Sequence, residues 1–168
     1  MTEAQNDDEA RIKVRDLLEH IRTVMLVTHD PEGGLDARPM AVLAVEGDTV
    51  WFFTDVESPK TLAIGQDHAV LLAAANPAGQ EYVSVRGTAR VTQDRERQKA
   101  LWTEAARLWF PDGAGSPKLA LIAVEMSEAQ YWDGAGSSAR YAIGYVKALL
   151  TKTPSEIGEN AKVRFGMG

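Results

Sequence analysis

The sequence predicts a mostly β protein: a small antiparallel barrel with helical cover. Three observations lead there. Seven strand-like segments are interrupted by helices in uneven order, whereas a doubly wound parallel sheet needs strict strand–helix alternation. Tyr82–Thr92 (YVSVRGTARVT) has a clean two-residue period with Gly87 in its middle, the mark of a bulge or a sharp barrel bend. Two further segments, about Ala37–Val45 and Thr49–Asp55, are apolar on both faces and so require a second layer: a helix, a ligand or another subunit.

The elements follow in order. Residues 1–6 are expected to be disordered. From Asp7 to Ile21 the apolar positions Ala10, Val14, Leu17, Leu18 and Ile21 fall three and four apart, giving a helix with one buried face. Thr23–Thr28 is β-branched and apolar, a strand. His29-Asp30-Pro31-Glu32-Gly33-Gly34 is a turn of breakers. The next two strands flank Glu46-Gly47-Asp48. Ser58-Pro59-Lys60 reads as a helix start, with serine at the cap and proline at the first helical position, and the helix runs to about Gln66. Ala69–Ala75 and Tyr82–Thr92 are strands. Asp94 caps a helix expected to reach Trp109, with Leu101, Ala105 and Leu108 inward and with Trp102 and Trp109 sharing one face. Strands at Leu119–Met126 and Ala129–Trp132 precede a Gly-Ser segment, a helix over Ala139–Leu150 and a polar, loosely held tail over 151–168. The domain is thus placed at 7–150.

Composition narrows the function. The chain has 168 residues, 45% of them apolar, enough for one core. A net charge of -6 argues against a nucleic-acid or anionic-membrane binder, which needs a basic face. Cysteine is absent, so there is no disulfide frame and no thiolate chemistry. With no signal-peptide core and no apolar run of transmembrane length, the expected location is the cytoplasm. His20, His29 and His68 have no metal-site spacing, and no serine sits in an elbow motif.

Chemistry concentrates between Arg38 and Lys60. Folding the chain at Glu46-Gly47-Asp48 places Arg38 opposite Thr54 and Asp55, beside the Ser58 helix end. A guanidinium, hydroxyls, an ammonium and unpaired helix N–H groups at one place form a phosphate site. Lys60 in a first helical turn is electrostatically unfavourable without an anion, because that end of the helix is already positive.

These segments resemble a family. Arg38-Pro39-Met40, Trp51-Phe52-Phe53-Thr54-Asp55 and Ser58-Pro59-Lys60, in this order, are similar to the FMN-binding split barrels related to pyridoxamine 5′-phosphate oxidase. Val85-Arg86-Gly87-Thr88-Ala89, Leu108-Trp109-Phe110-Pro111 and Tyr131-Trp132-Asp133 resemble its bacterial general stress protein branch. The resemblance covers residues 10–150. It implies a six-stranded split barrel that forms a homodimer with FMN at the interface. It implies that Arg38, Lys60 and Ser58 hold the FMN phosphate, that the backbone near Pro39-Met40 and Phe53-Thr54 lines the ring, and that Trp109 covers the flavin from the partner chain. Relatives of this barrel also use the deazaflavin F420 or haem. The oxidases' Arg-x-His segment has no counterpart in GENAKVRFGMG, so vitamin B6 oxidation is not expected. What remains is an FMN-dependent oxidoreductase, fed by a reduced nicotinamide or another donor, or a non-catalytic flavin carrier or sensor.

Overall fold

The computed structural model describes residues 3–134 and 159–166. Helix α1 (Glu3–Ile21) begins four residues earlier than its apolar pattern, because Glu3 to Asn6 extend it as a polar first turn. Its buried face is Ala10, Val14, Leu17 and Leu18, as the spacing predicts. Then come β1 (Thr23–His29), β2 (Leu35–Ala41), β3 (Ala44–Glu46), β4 (Thr49–Asp55), α2 (Pro59–Gln66), β5 (Ala69–Asn76), β6 (Glu81–Thr92), α3 (Arg95–Leu101), a 3₁₀ turn (Glu104–Leu108), β7 (Leu119–Asp133) and β8 (Glu159–Arg164).

All strand pairs are antiparallel, in the order β2-β1-β5-β6-β7-β4-β3, with β8 beside β7. The path is not closed between its edges β2 and β3, so the barrel is split. Six strands (β1, β2, β4, β5, β6 and β7) are seven residues or longer, as expected. The short β3 and the C-terminal β8 bring the number to eight among the described residues. The 15-residue β7 is one continuous strand where two were expected. Its first half pairs β4 and its second half pairs β8 along the same edge.

Gly87 does what its position in the strand predicts. The β6–β7 register shifts between Arg86 and Gly87, leaving Ser127 as the extra residue. A Cβ at Gly87 would lie 2.6 Å from the Glu125 carbonyl oxygen, so only glycine permits this approach.

Two sequence expectations fail for physical reasons. The strand expected over Ala37–Val45 breaks at Val42-Leu43, whose N–H groups bond Arg22 and Trp51 respectively; the chain there passes from one edge of the split to the other. The C-terminal tail is not loose over 159–165. Val163 and Phe165 are buried, and Arg11 of α1 donates to the Arg164 carbonyl at 2.8 Å, so apolar burial and an α1 contact hold β8. The helix expected over Ala139–Leu150 lies outside the described residues.

The main core runs between the inner sheet face and α1, with Phe52, Leu72, Val85, Ile122, Val124 and Tyr131 fully or almost fully buried. A second, smaller cluster covers the other face of β4. Trp51, Leu121 and Ala123 pack there against Leu43, Phe53 and Leu101, with Arg97 lying 4.5 Å over the Trp51 ring. The two-faced character of β4 is therefore satisfied by α3 within the same chain. The Asp94 side chain caps α3 through the Arg97 N–H at 3.1 Å. Asp94→Ala is expected to lower stability by about 1 kcal/mol, measured by urea denaturation.

Candidate functional site

The site gathers at one end of the split, where β1 and β4 end and α2 begins. Thr54 is on the inner face of β4 together with Val50 and Phe52, because side chains alternate along the strand, and is 2% exposed. The tight turn after β4 reverses the chain. Ser58 N–H bonds the Asp55 carbonyl at 3.1 Å, the Asp55 carboxylate accepts from Glu57 N–H at 2.8 Å, and Pro59 starts α2. Three hydroxyls meet there. Thr54 Oγ1 lies 3.3 Å from both Ser58 Oγ and Thr61 Oγ1, which are 2.9 Å apart.

Arg38 arrives from β2 by a different route from the one its sequence position suggests. Its cross-strand neighbour is Leu26 of β1, not Thr54 or Asp55. The hairpin at Gly47-Asp48 pairs only Ala44–Glu46 with Thr49–Trp51. It is the curvature of the sheet, with β2 touching β4 across the split, that brings Arg38 to the same end. Its guanidinium donates to the Thr28 hydroxyl at 2.7 Å and to the Leu26 carbonyl at 3.2 Å. Both acceptors are neutral.

Lys60 completes the group. Burial, then the neighbouring Arg38 cation, hold its pKa below the ordinary lysine range, against the opposing pull of Asp55. Among the described residues, neither Lys60 nor Arg38 forms a salt bridge. Two cations thus stand close together, part-buried and in no salt bridge among the described residues, with Asp55 only partly offsetting the Lys60 charge, beside a helix N-terminus that is itself positive.

The structure brings together Arg38, Thr54, Ser58 and Lys60. It adds Thr28 and Thr61, which the sequence reading missed. Thr28 had a signal: it continues the inward Val24, Leu26 alternation and is a buried polar group. Thr61 had one too, three residues after Ser58 on a helix. The other expected residues are arranged differently. Pro39 is exposed on β2, an edge strand, where its missing N–H costs no ladder bond. Met40 packs against the main core. The Phe53 side chain points away from Thr54 and meets Trp102 and Phe110, at ring centroid distances of 5.8 and 6.2 Å. Trp109 is 80% exposed beside Leu108, at 84%. Leu108 was expected inward, on a helix reaching Trp109. That helix ends at Leu101, and the turn that follows rotates Leu108 outward and takes Trp102 and Trp109 off a common face.

A family model described as pyridoxamine 5′-phosphate oxidase like matches residues 9–156. The chain belongs to the pyridoxamine 5′-phosphate oxidase-like family. The general stress protein 26 of Bacillus subtilis is 28% identical over 123 residues, 71% of this chain and 86% of that protein. A structure described as a general stress protein 26 from Jannaschia sp. CCS1 superposes with a TM-score of 0.78 at 25% identity, covering 94% of this chain and 99% of that one. The general stress FMN/FAD binding protein of Xanthomonas citri superposes with a TM-score of 0.66 at 30% identity, covering 78% and 92%. The fold is therefore the split barrel that the resemblance implies. No described helix is long and apolar enough to cross a membrane.

Proposed function

We propose that the protein binds FMN and acts as a flavin-dependent oxidoreductase of the general stress type. The observation that carries this is the pair Arg38 and Lys60, two neighbouring cations that form no salt bridge among the described residues, set against the Thr54, Ser58 and Thr61 hydroxyls and the start of α2. A phosphomonoester dianion supplies the charge this arrangement lacks. The flavin-binding relative from Xanthomonas citri supports a flavin as the group that carries the phosphate. A bound flavin would supply the redox chemistry. The chain's own residues would anchor the phosphate and, by fixing that end, set where the ring lies.

A homodimer is part of the reading. β4 is covered within the chain, but among the described residues no helix packs over Met25, Ala37 and Pro39 on the outer face of β1 and β2, which are exposed. Met25 there is flanked by Pro39 on one side and Ala73 on the other, with Val27, Ala37 and Leu71 beside them. A second copy on this face would lie across β2 from Arg38, because Pro39 and Arg38 project to opposite sides of the strand. The exposed Trp109 indole, on the loop that follows α3, is the residue proposed to reach the flavin of the partner chain.

Titration of the purified protein with FMN, FAD and riboflavin tests the cofactor, and FMN is expected to bind most tightly. No perturbation of flavin absorbance or fluorescence would remove the reading. Stopped-flow mixing of the FMN-loaded protein with NADH and NADPH tests the activity, since reduction no faster than that of free FMN indicates a carrier instead.

The depressed pKa of Lys60 has a pH consequence. Phosphate favours the ammonium, so FMN affinity is fullest below the Lys60 pKa and falls as pH rises through it. The fall is expected to begin below 10.5, the ordinary lysine value. Riboflavin affinity should show no matching fall. In the free protein the sign reverses: the charged Lys60 is a cost to the fold, relieved as pH rises from its folded pKa toward 10.5.

A further inference from the structure

Ser58 sits at the N-cap of α2 with extended backbone, φ -68° and ψ 149°. From this conformation a serine hydroxyl ordinarily accepts a hydrogen bond from the second or third helical N–H. Ser58 makes no such bond. The cause is one turn further along. Thr61 Oγ1 lies 2.8 Å from the Asp55 carbonyl oxygen, which can only accept, so the single Thr61 proton is committed there. Across the 2.9 Å contact Ser58 must therefore donate and Thr61 accept. The Ser58 hydroxyl is turned toward Thr61 and away from the cap.

The backbone donors of the first turn are consequently unequal. Pro59 has no N–H. The Thr61 and Leu62 N–H groups both reach the Ser58 carbonyl, at 3.0 and 3.3 Å. The Lys60 N–H is left without an acceptor among the described residues. It belongs to the same residue as the ammonium that forms no salt bridge among the described residues.

We propose that Thr61 is a positioning residue of the anion site, holding the Ser58 hydroxyl off the helix end so that the Lys60 N–H stays open to a phosphomonoester. This rests on reading the site as a phosphate site. In Thr61→Val, a variant of the same shape without the hydroxyl, Ser58 loses its 2.9 Å partner and turns to cap the helix, closing the Lys60 N–H. The Asp55 carbonyl keeps the Ser58 N–H at 3.1 Å, so the change orphans no buried acceptor.

The test compares the full-length protein with Thr61→Val, Thr61→Ser and Lys60→Ala, titrated with FMN and with riboflavin. The Lys60 amide resonance is followed as inorganic phosphate is added. Thr61→Val is expected to lose about tenfold in FMN affinity, with riboflavin changed by less than about twofold, because the lost contact is one N–H bond to a charged group. Its Lys60 amide should no longer respond to phosphate. Thr61→Ser should keep both properties. Unchanged FMN binding in Thr61→Val, or equal loss of both flavins, overturns the proposal. Lys60→Ala separates the two levels. If it too fails to distinguish FMN from riboflavin, the phosphate reading itself is wrong; if it distinguishes them and Thr61→Val does not, only the role of Thr61 is wrong.

Discussion

Lys60→Ala is expected to weaken FMN binding roughly ten- to a hundredfold while leaving riboflavin close to its original affinity, and Arg38→Ala should do the same. Both side chains are assigned to the phosphate, which riboflavin lacks. Each charge-assisted contact contributes about 1.5–3 kcal/mol, which sets the range. The two substitutions differ in what they leave behind. Arg38→Ala strips the buried Thr28 hydroxyl of its 2.7 Å donor, so it should also lower the stability of the free protein. Lys60→Ala removes a cation that the free protein holds at a cost, next to Arg38 and part-buried, so it should leave stability unchanged or raise it. Isothermal titration with both flavins, set beside thermal melts without flavin, reads all four quantities. An equal loss for FMN and riboflavin in either variant would place that side chain away from the phosphate.

The cluster of Arg38, Thr54, Ser58 and Lys60 was legible because its signals are local. A serine followed by proline marks a helix start from composition alone, and a lysine in that first turn asks for an anion. The route by which Arg38 reaches the cluster was not legible. A turn at Glu46-Gly47-Asp48 invites a long hairpin, and nothing within residues 37–45 says that β2 prefers β1. Pairing is decided by which inner faces match, and Leu26 and Thr28 of β1, not β4, lie against Arg38. That is a long-range fact. Thr61 went unnoticed for a related reason: a threonine inside a helix is ordinary until the strand end that supplies Thr54 and the Asp55 carbonyl is in place.

The same division runs through the fold. Gly87 announced its bulge because a glycine inside a strict two-residue period gives up a packed side chain, which a strand does where its backbone must bend or be closely approached. The apolar stripe of α1 named its own buried face. The helix after Asp94 was over-extended because Glu104, Ala105, Ala106, Arg107 and Leu108 are all good helix formers. What ends it is tertiary: Trp102 turns in to meet Phe53, and the chain restarts as a 3₁₀ turn. β8 was missed because Glu159–Arg164 is mostly polar; its place comes from the free second half of the β7 edge and from the burial of Val163 and Phe165.

Met25→Asp is expected to convert a dimer into a monomer. Met25 is 39% exposed in the single chain, a position where an aspartate can stay hydrated, so the variant should fold. The same residue lies at the middle of the apolar face that no described helix covers, between Pro39 and Ala73. A twofold pair formed on this face would set the two copies of the patch against each other. It would then bury two unpaired carboxylates, and an uncompensated buried charge costs about 3–5 kcal/mol. That is a loss of roughly a hundred- to a thousandfold or more in the association constant. Sedimentation at low micromolar concentration is the measurement, with circular dichroism to show that the barrel is intact. If the partner chain contributes to the flavin site, flavin affinity should fall together with dimerisation, although the introduced carboxylate would touch neither the phosphate nor its ligands. A folded Met25→Asp monomer that binds FMN at full strength would place the whole site within one chain. A Met25→Asp dimer would mean that a different face makes the pair.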